Sequence, residues 1–102
     1  MVKEIEPVAL KQLLNSDEVR LIDVRTPQEV AQGALPRAVN IPLHLIPLHI
    51  SEFTPDKTWV IYCRSGARSA QACAFLADHG IANTLNLQGG IMAWASQGLN
   101  FS

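Results

Sequence analysis

The sequence predicts an α/β fold, in which a parallel sheet carries helices on both of its faces. Strand-like and helix-like segments alternate along the 102 residues with short links between them, as expected when helices connect parallel strands. The segment from Val19 to Val24 places the apolar residues Leu21 and Ile22 side by side, which is typical of a strand buried on both faces. With 48% hydrophobic and 17% charged residues, the chain can form one modest core. We therefore expect a single domain over residues 1–102.

The first half of the chain predicts two helices, two strands and a further broken or short helix. Pro7 suits the first position of a helix because its missing N–H needs no partner there. After the strand that begins at Val19, the run Thr26 to Glu29 predicts a capping box at the start of a short helix. Val39 to Ile41 predicts a second strand. Leu43 to Ile50 predicts a broken or short helix, since Pro47 interrupts it.

The second half predicts the centre of the sheet and its strongest helix. Thr58 to Tyr62 reads as a central strand, and Thr84 to Leu87 reads as the last strand. Between them, Ala67 to His79 is rich in helix-forming residues. Gly89-Gly90 predicts a tight turn before a closing helix from Ile91 to Gln97. Because sites in parallel sheets form at the carboxyl ends of strands, the chemistry is expected just after each strand.

Composition and spacing exclude several classes of partner. Eight Lys and Arg against nine Asp and Glu give a net charge of −1, so no basic field favours nucleic acid. Apolar runs break well before the roughly 20 residues of a membrane span, and Met1 to Glu6 has no apolar signal core. We therefore expect a cytoplasmic protein without a membrane partner. His44 and His49 do not share a helical face, so neither a metal nor a cofactor is expected.

The loop of residues 63–69, Cys-Arg-Ser-Gly-Ala-Arg-Ser, carries the predicted chemistry. If this loop curls around the sulfur of Cys63, its N–H groups form an anion-binding nest. The helix N-terminus, Arg64 and Arg68 add positive charge, and Gly66 permits the turn. Such settings lower a cysteine pKa from about 8.5 into roughly the 3.5–7.5 range. The loop thus predicts a solvent-facing thiolate for covalent sulfur chemistry on a small anion; the alternative is a buried cysteine beside two solvated arginines.

Three other side chains have competing interpretations. Cys73 lies mid-helix and is read as a core residue rather than a resolving thiol for an oxidised Cys63. Asp23 and Arg25 end the first clear strand, where they either orient the site or form an ion pair that holds a loop, together with Glu29. The ion pair is the interpretation we favour.

A set of segments spread over nearly the whole chain matches a known pattern in order and spacing. These segments are Leu21–Arg25, Glu29, Gly33, Pro36, Ala38–Pro42, Tyr62–Cys63, Gly66, Arg68, Ser69, Leu87–Gly90 and Trp94. On them the chain resembles the single-domain rhodanese family of sulfurtransferases. The resemblance implies a three-layer α/β/α fold with a central five-stranded parallel sheet.

The resemblance also implies an activity and a site. Cys63 would be the nucleophile that forms a persulfide, and the substrate cradle would comprise Arg64, Ser65, Gly66, Ala67 and Arg68. Family members typically take sulfane sulfur from thiosulfate, release sulfite, and pass the sulfur to cyanide or to a thiol. The expected partners are thus a small anionic sulfur donor and a thiol or cyanide acceptor, which includes a thiol-bearing protein. A module that only carries sulfur to one partner protein is the alternative.

Loop length and two departures refine this comparison. Cys63 to Arg68 counts six residues, whereas phosphatases of the same fold resemble it with a loop one residue longer. The shorter ring disfavours a phosphatase or an arsenate reductase. Ala34 and Arg37 stand where the family often has His and Gly, which affects local loop packing rather than the class of reaction.

Overall fold

The computed structural model describes residues 2–101; Met1 and Ser102, the ends of the predicted domain, lie outside the described residues. Strands and helices alternate through the described part of the chain. The strands are β1 (Glu4–Ile5), β2 (Val19–Asp23), β3 (Ala38–Asn40), β4 (Thr58–Tyr62) and β5 (Thr84–Leu87). The α-helices are α1 (Pro7–Leu13), α2 (Pro27–Ala31), α3 (Ala67–Asp78) and α4 (Gly90–Ser96), and a 3-10 helix spans Leu43–Glu52.

The strands of residues 2–101 form a five-stranded parallel sheet in the order β1-β5-β4-β2-β3. The α/β class and the central position of β4 are therefore confirmed. Asp23 at the end of β2 lies opposite Tyr62 at the end of β4, so the segments that follow these strands emerge at the same edge of the sheet. That edge holds the cysteine loop.

Side chains on the two faces of the sheet enter separate cores. Leu21 and Val60 pack with α1 and α4, whereas Ile22 and Ile61 pack with α3 and the 3-10 helix. Neighbouring residues of a strand point to opposite faces, so the adjacent apolar residues of β2 serve both cores. The three-layer arrangement follows from this pattern.

Local signals explain most of the element boundaries. Thr26 and Glu29 form the predicted capping box, because each side chain accepts a hydrogen bond from the other residue's backbone N–H. The segment with Pro47 forms a 3-10 helix that continues to Glu52, two residues beyond the predicted end. The second predicted strand is displaced by one residue, since β3 starts at Ala38.

Arg37 adopts a left-handed backbone conformation with φ 68°. A residue with a Cβ is uncommon there, which explains why glycine is frequent at this position in the family that the sequence resembles. The Arg37 guanidinium donates a 2.6 Å hydrogen bond from Nη1 to the carbonyl oxygen of Leu14. This hydrogen bond fixes the Arg37 side chain against the segment that follows α1.

No helix within residues 2–101 combines the length and the apolar character needed to cross a membrane.

Candidate functional site

The loop between β4 and α3 closes around the sulfur of Cys63. Gly66 lies in the left-handed region with φ 105°, as the sequence predicts for a turn that a side chain would resist. In this conformation its N–H donates a 3.1 Å hydrogen bond to Cys63 Sγ. The residue thus turns the chain and binds the sulfur at the same time.

The first turn of α4 holds the outer side of this loop. Ile91 N–H donates to the carbonyl oxygen of Cys63 at 2.9 Å, and Met92 N–H donates to that of Arg64 at 3.1 Å. A Cβ on Gly90 would lie 2.4 Å from the same Arg64 oxygen, so this approach requires glycine. In a trans peptide the N–H points opposite to the carbonyl. Anchoring these carbonyls therefore turns the N–H groups of Arg64 and Ser65 away from α4.

Ser69 also lies against the sulfur, although the predicted cradle of residues 64–68 does not include it. It lies in the first turn of α3, is fully buried, and places its Oγ 3.5 Å from Cys63 Sγ. The same hydroxyl donates a 2.5 Å hydrogen bond to Asn86 Oδ1 on β5. A small hydroxyl residue directly after the loop's second arginine is the sequence signal that would have indicated this role.

The surroundings of Cys63 favour its ionised form on balance. Burial raises the pKa of this thiol, but hydrogen bonds from the Ser69 hydroxyl and from the N–H groups of Ser69, Gly66 and Ser65 outweigh it. The net pKa is lowered, in the direction that the sequence predicts. Hydrogen bonds make the main favourable contribution, whereas the sequence analysis also relied on the two arginines.

The exposure of the sulfur differs from the prediction. Cys63 is 1% exposed and belongs to the core that packs against α3, whereas the sequence analysis expects a solvent-facing side chain. The difference has a physical cause, because a loop that wraps its N–H groups around a sulfur also removes that sulfur from water. Arg64, Ser65 and Ala67 are themselves exposed.

The two arginines of the loop differ in their partners. Arg68 forms two hydrogen bonds with the carboxylate of Glu29, at 2.8 and 2.9 Å, and this pairing raises the Arg68 pKa. The sequence instead predicts that Glu29 joins the Arg25 ion pair. That assignment is wrong for the carboxylate, since Arg25 reaches only the backbone oxygen of Glu29, at 3.4 Å. Much of the Arg68 charge near the sulfur is therefore offset.

The pairing of Glu29 predicts an unusual titration. Hydrogen bonds from Arg68 and from the Thr26 backbone lower the pKa of Glu29 from 4.5 to about 2. Because the folded pKa lies below the unfolded one, the pairing stabilises the fold above about pH 4.5, and this contribution is lost as the pH falls towards 2. Carboxyl-carbon NMR should give a Glu29 midpoint near pH 2.

The matched variant for this titration is Arg68→Gln. It removes the charged donor and leaves the Thr26 contact, so the Glu29 midpoint should rise towards its ordinary value. A Glu29 midpoint near 4.5 in the unmodified protein would contradict the pairing.

Asp23 and Arg25 form a buried ion pair at the end of β2. Arg25 Nη2 lies 2.8 Å from Asp23 Oδ2, and the two side chains are 6% and 1% exposed. The same nitrogen donates to the Gly33 carbonyl at 2.7 Å, which ties the end of the α2 segment to the sheet. This geometry agrees with the interpretation that Asp23 and Arg25 form an ion pair that holds a loop, here the segment that ends at Gly33.

A cavity of about 450 Å³ lies beside the cysteine loop. Its polar wall includes Arg25, Glu29 and Arg64, and its apolar wall includes Met92 and Phe101. A second cavity, of about 410 Å³, is lined by residues of β2, β3 and the 3-10 helix. The first cavity is thus lined by Arg25 and Arg64 of the predicted site and by Glu29, the partner of Arg68. In the described part of the chain, the residues that line the second cavity include no predicted site residue.

Cys73 lies in the core, as predicted. It is 2% exposed, and burial raises the pKa of its thiol to about 11 despite a hydrogen bond with Thr84. Both cysteines are free thiols. At neutral pH, Cys73 is therefore protonated and shielded, whereas the hydrogen bonds to Cys63 lower the pKa of its thiol.

Potential metal ligands are scattered rather than clustered. Within residues 2–101, no three His, Cys, Asp or Glu side chains are grouped so that they could hold a metal ion.

Comparisons with known proteins agree on one family. A family model described as Rhodanese-like domain matches residues 6–97. The chain is 54% identical over 100 residues to a protein named "Sulfurtransferase" from Allochromatium vinosum, covering 97% of this chain and 94% of that one. It is 30% identical over 97 residues to a "Putative sulfur carrier protein YrkF" from Bacillus subtilis, covering 94% and 52%. A crystal structure of a rhodanese-like domain protein from Staphylococcus aureus superposes with a TM-score of 0.86, at 36% identity and 99% coverage of both chains.

Proposed function

The chain belongs to the rhodanese-like domain family, and on that basis we propose that it is a sulfurtransferase that works through a persulfide on Cys63. The donor is thiosulfate or a similar small anion, and the acceptor is a thiol or cyanide. One observation carries the proposal most directly: Cys63 Sγ accepts the Gly66 N–H inside a closed loop, a setting that stabilises an ionised sulfur. The name of the Allochromatium vinosum relative supports the same class of reaction.

The proposed reaction has two balanced steps. The Cys63 thiolate attacks the outer sulfur of thiosulfate, forming an Sγ–S bond while the S–S bond of thiosulfate breaks and sulfite leaves with the bonding electrons. An acceptor thiolate then attacks the outer sulfur of the persulfide. The acceptor becomes a persulfide, and Cys63 returns as a thiolate; cyanide in the same role becomes thiocyanate. Neither step requires a cofactor.

The loop supplies the proposed contacts with the donor. The N–H groups of Ser65 and Gly66 bind the Cys63 sulfur, and we assign them, with Ala67, to the negative charge of the donor. Arg64 adds an exposed guanidinium beside the cavity. Arg68 completes the cradle while Glu29 holds it in place.

The Asp23–Arg25 ion pair supports the cradle indirectly, because Arg25 also donates to backbone carbonyls of the α2 segment that carries Glu29, the partner of Arg68. Because Cys63 is buried and the next residues, Arg64 and Ser65, are exposed, the proposal requires this segment to move so that a donor reaches the sulfur. A reducing cytoplasm suits this chemistry because the mechanism needs a free thiol.

Incubation with thiosulfate provides the direct test. Intact-protein mass spectrometry under anaerobic conditions should show a gain of one sulfur atom, and a later addition of cyanide should remove it and yield thiocyanate. A Cys73→Ala variant should gain the same mass, since Cys73 is buried and protonated. Absence of the adduct on folded protein would refute the proposal.

A sulfur-carrier module is the second candidate. The burial of Cys63 favours it, because a shielded persulfide resists small acceptors, and the name of the Bacillus subtilis relative points the same way. A carrier would form the adduct with thiosulfate but return it slowly to cyanide or small thiols. Rapid cyanide turnover would favour the enzyme, whereas a stable adduct released by one thiol-bearing protein would favour the carrier.

A further inference from the structure

Asn86, on β5, lies behind the cysteine loop with every atom of its side-chain amide in use. The residue is 2% exposed. Its Oδ1 accepts the hydrogen bond from Ser69 Oγ at 2.5 Å, and its Nδ2 donates to the Gly66 carbonyl at 3.1 Å and to Glu4 Oε2 at 3.3 Å. A single side chain thus joins the loop, the first turn of α3 and the edge strand β1.

The chemistry of these contacts specifies an amide. The Gly66 carbonyl and the Glu4 carboxylate accept hydrogen bonds, so the group that faces them must donate. The Ser69 hydroxyl needs an acceptor. An aspartate could accept from Ser69 but could not donate to Gly66, and it would place a second negative charge beside Glu4.

Ser69 connects this amide to the sulfur. Its hydroxyl has one hydrogen, and two acceptors lie within reach: Asn86 Oδ1 at 2.5 Å and Cys63 Sγ at 3.5 Å. A charged sulfur is a stronger acceptor than a neutral thiol. The hydroxyl held by Asn86 is therefore in place to turn towards the sulfur when Cys63 ionises.

We propose that Asn86 is a positioning residue for sulfur transfer, which acts through Ser69 and Gly66 and does not touch the substrate. By fixing the Gly66 carbonyl it holds the loop closed, and by holding Ser69 it keeps a hydroxyl donor beside the sulfur. The inference rests on the proposed function of Cys63 and adds a residue to its machinery.

Charged groups on the surrounding elements must stay constant in any test of Cys63. They are Arg64 on the loop, Arg68 on α3, Glu29 on α2, Glu4 on β1, and the Asp23–Arg25 pair after β2. Asn86→Ala leaves all of these in place, whereas Asn86→Asp adds one negative charge beside Glu4.

The test compares two asparagines on or beside the same strand. Asn86→Ala and Asn86→Asp remove the donor at the loop. Asn83→Ala and Asn83→Asp are the controls, because Asn83 also donates from Nδ2 to two carbonyl oxygens, those of Thr54 and Lys57, at the other end of β5. The readout is the rate of iodoacetamide alkylation of Cys63 against pH, which reports the thiolate fraction and requires no sulfur donor.

We expect both Asn86 variants to move the alkylation midpoint to higher pH, because the Gly66 carbonyl loses its donor and the Gly66 N–H is then held less firmly on Cys63 Sγ. Asn86→Asp should move it further because it adds negative charge. Each unit of displacement lowers the rate below the midpoint about tenfold. The Asn83 variants should lose stability while keeping the midpoint of the unmodified protein. Profiles for Asn86 variants that coincide with the unmodified protein would overturn the proposal, as would an equal displacement by the Asn83 variants.

A second variant keeps the proposal testable if the Asn86 variants do not fold. Ser69→Ala removes the hydroxyl through which Asn86 acts and should displace the midpoint in the same direction. An unchanged midpoint would overturn the proposed action of Asn86 through Ser69. The proposed function is judged separately by the persulfide adduct. Without an adduct but with displaced midpoints, the sulfurtransferase proposal fails, and with it the role in sulfur transfer, while the effect of Asn86 on the Cys63 thiolate is retained. With an adduct and coincident profiles, the positioning role alone fails.

Discussion

Replacing Cys63 by serine is expected to lower sulfur transfer from thiosulfate to cyanide by about three orders of magnitude or more. A serine hydroxyl stays protonated even where the loop lowers the pKa of a thiol, and an oxygen nucleophile cannot form the persulfide that the second step consumes. The variant should fold, since serine is smaller than cysteine and Gly66 N–H can still donate to its oxygen. Thiocyanate formation and the mass of the intact protein measure the effect.

Cys73→Ala is the matched control for this loss. Cys73 is buried on the same core, and its pKa is raised to about 11, so it should make no contribution to turnover. We expect this variant to lose some stability and to retain activity per folded molecule. Equal loss of activity in both variants would contradict the assignment of Cys63 as the sole nucleophile.

Replacing Gly90 by alanine should destabilise the fold and the cysteine loop together. Gly90 has φ 63°, and a Cβ there would lie 2.4 Å from the Arg64 oxygen and 2.6 Å from the Cys63 oxygen. Neither oxygen can move freely, because both are bonded to N–H groups of α4. Left-handed strain and overpacking together should lower the free energy of unfolding by about 2–5 kcal/mol, measured by urea denaturation.

Gly80→Ala is the control that separates backbone strain at a left-handed residue from a steric clash of the added Cβ. Gly80 has a comparable φ of 82°, but an added Cβ would meet nothing within 4 Å, so this variant should lose only about 1–2 kcal/mol. It should also form the Cys63 persulfide at the normal rate, whereas Gly90→Ala should form it slowly. Equal destabilisation by the two variants would show that the contact with the loop carbonyls is unimportant.

Features set by neighbouring residues could be predicted from the sequence. The bounds of β4 and β5 match the predicted segments, and the capping box at Thr26 was evident from four consecutive residues. The sequence predicts a turn at Gly66 that a side chain would resist, and Gly66 has a left-handed φ of 105°. In each case the information lies within one short stretch of chain.

Features set by distant residues could not be predicted in the same way. β1 has two residues, too few for a periodic pattern, and it exists because it pairs with β5 about 80 positions away. The Glu29–Arg68 pair joins residues 39 positions apart, and Ser69 meets Asn86 across 17. Such contacts arise from the fold as a whole, which explains why the partners of the loop on α2 and β5 could not be predicted from the loop's own residues.

The pairing of β1 with β5 has a consequence for how the molecule assembles. Glu4 lies opposite Asn86 in register, so the two ends of the polypeptide must meet before the last hydrogen bond behind the cysteine loop can form. Closing so long a span costs more entropy than closing a local turn, and contacts of this kind slow folding. We therefore expect a folding chain to gain its reactive sulfur late, after the central strands have docked, so that recovery of activity on refolding reports the completion of the whole sheet.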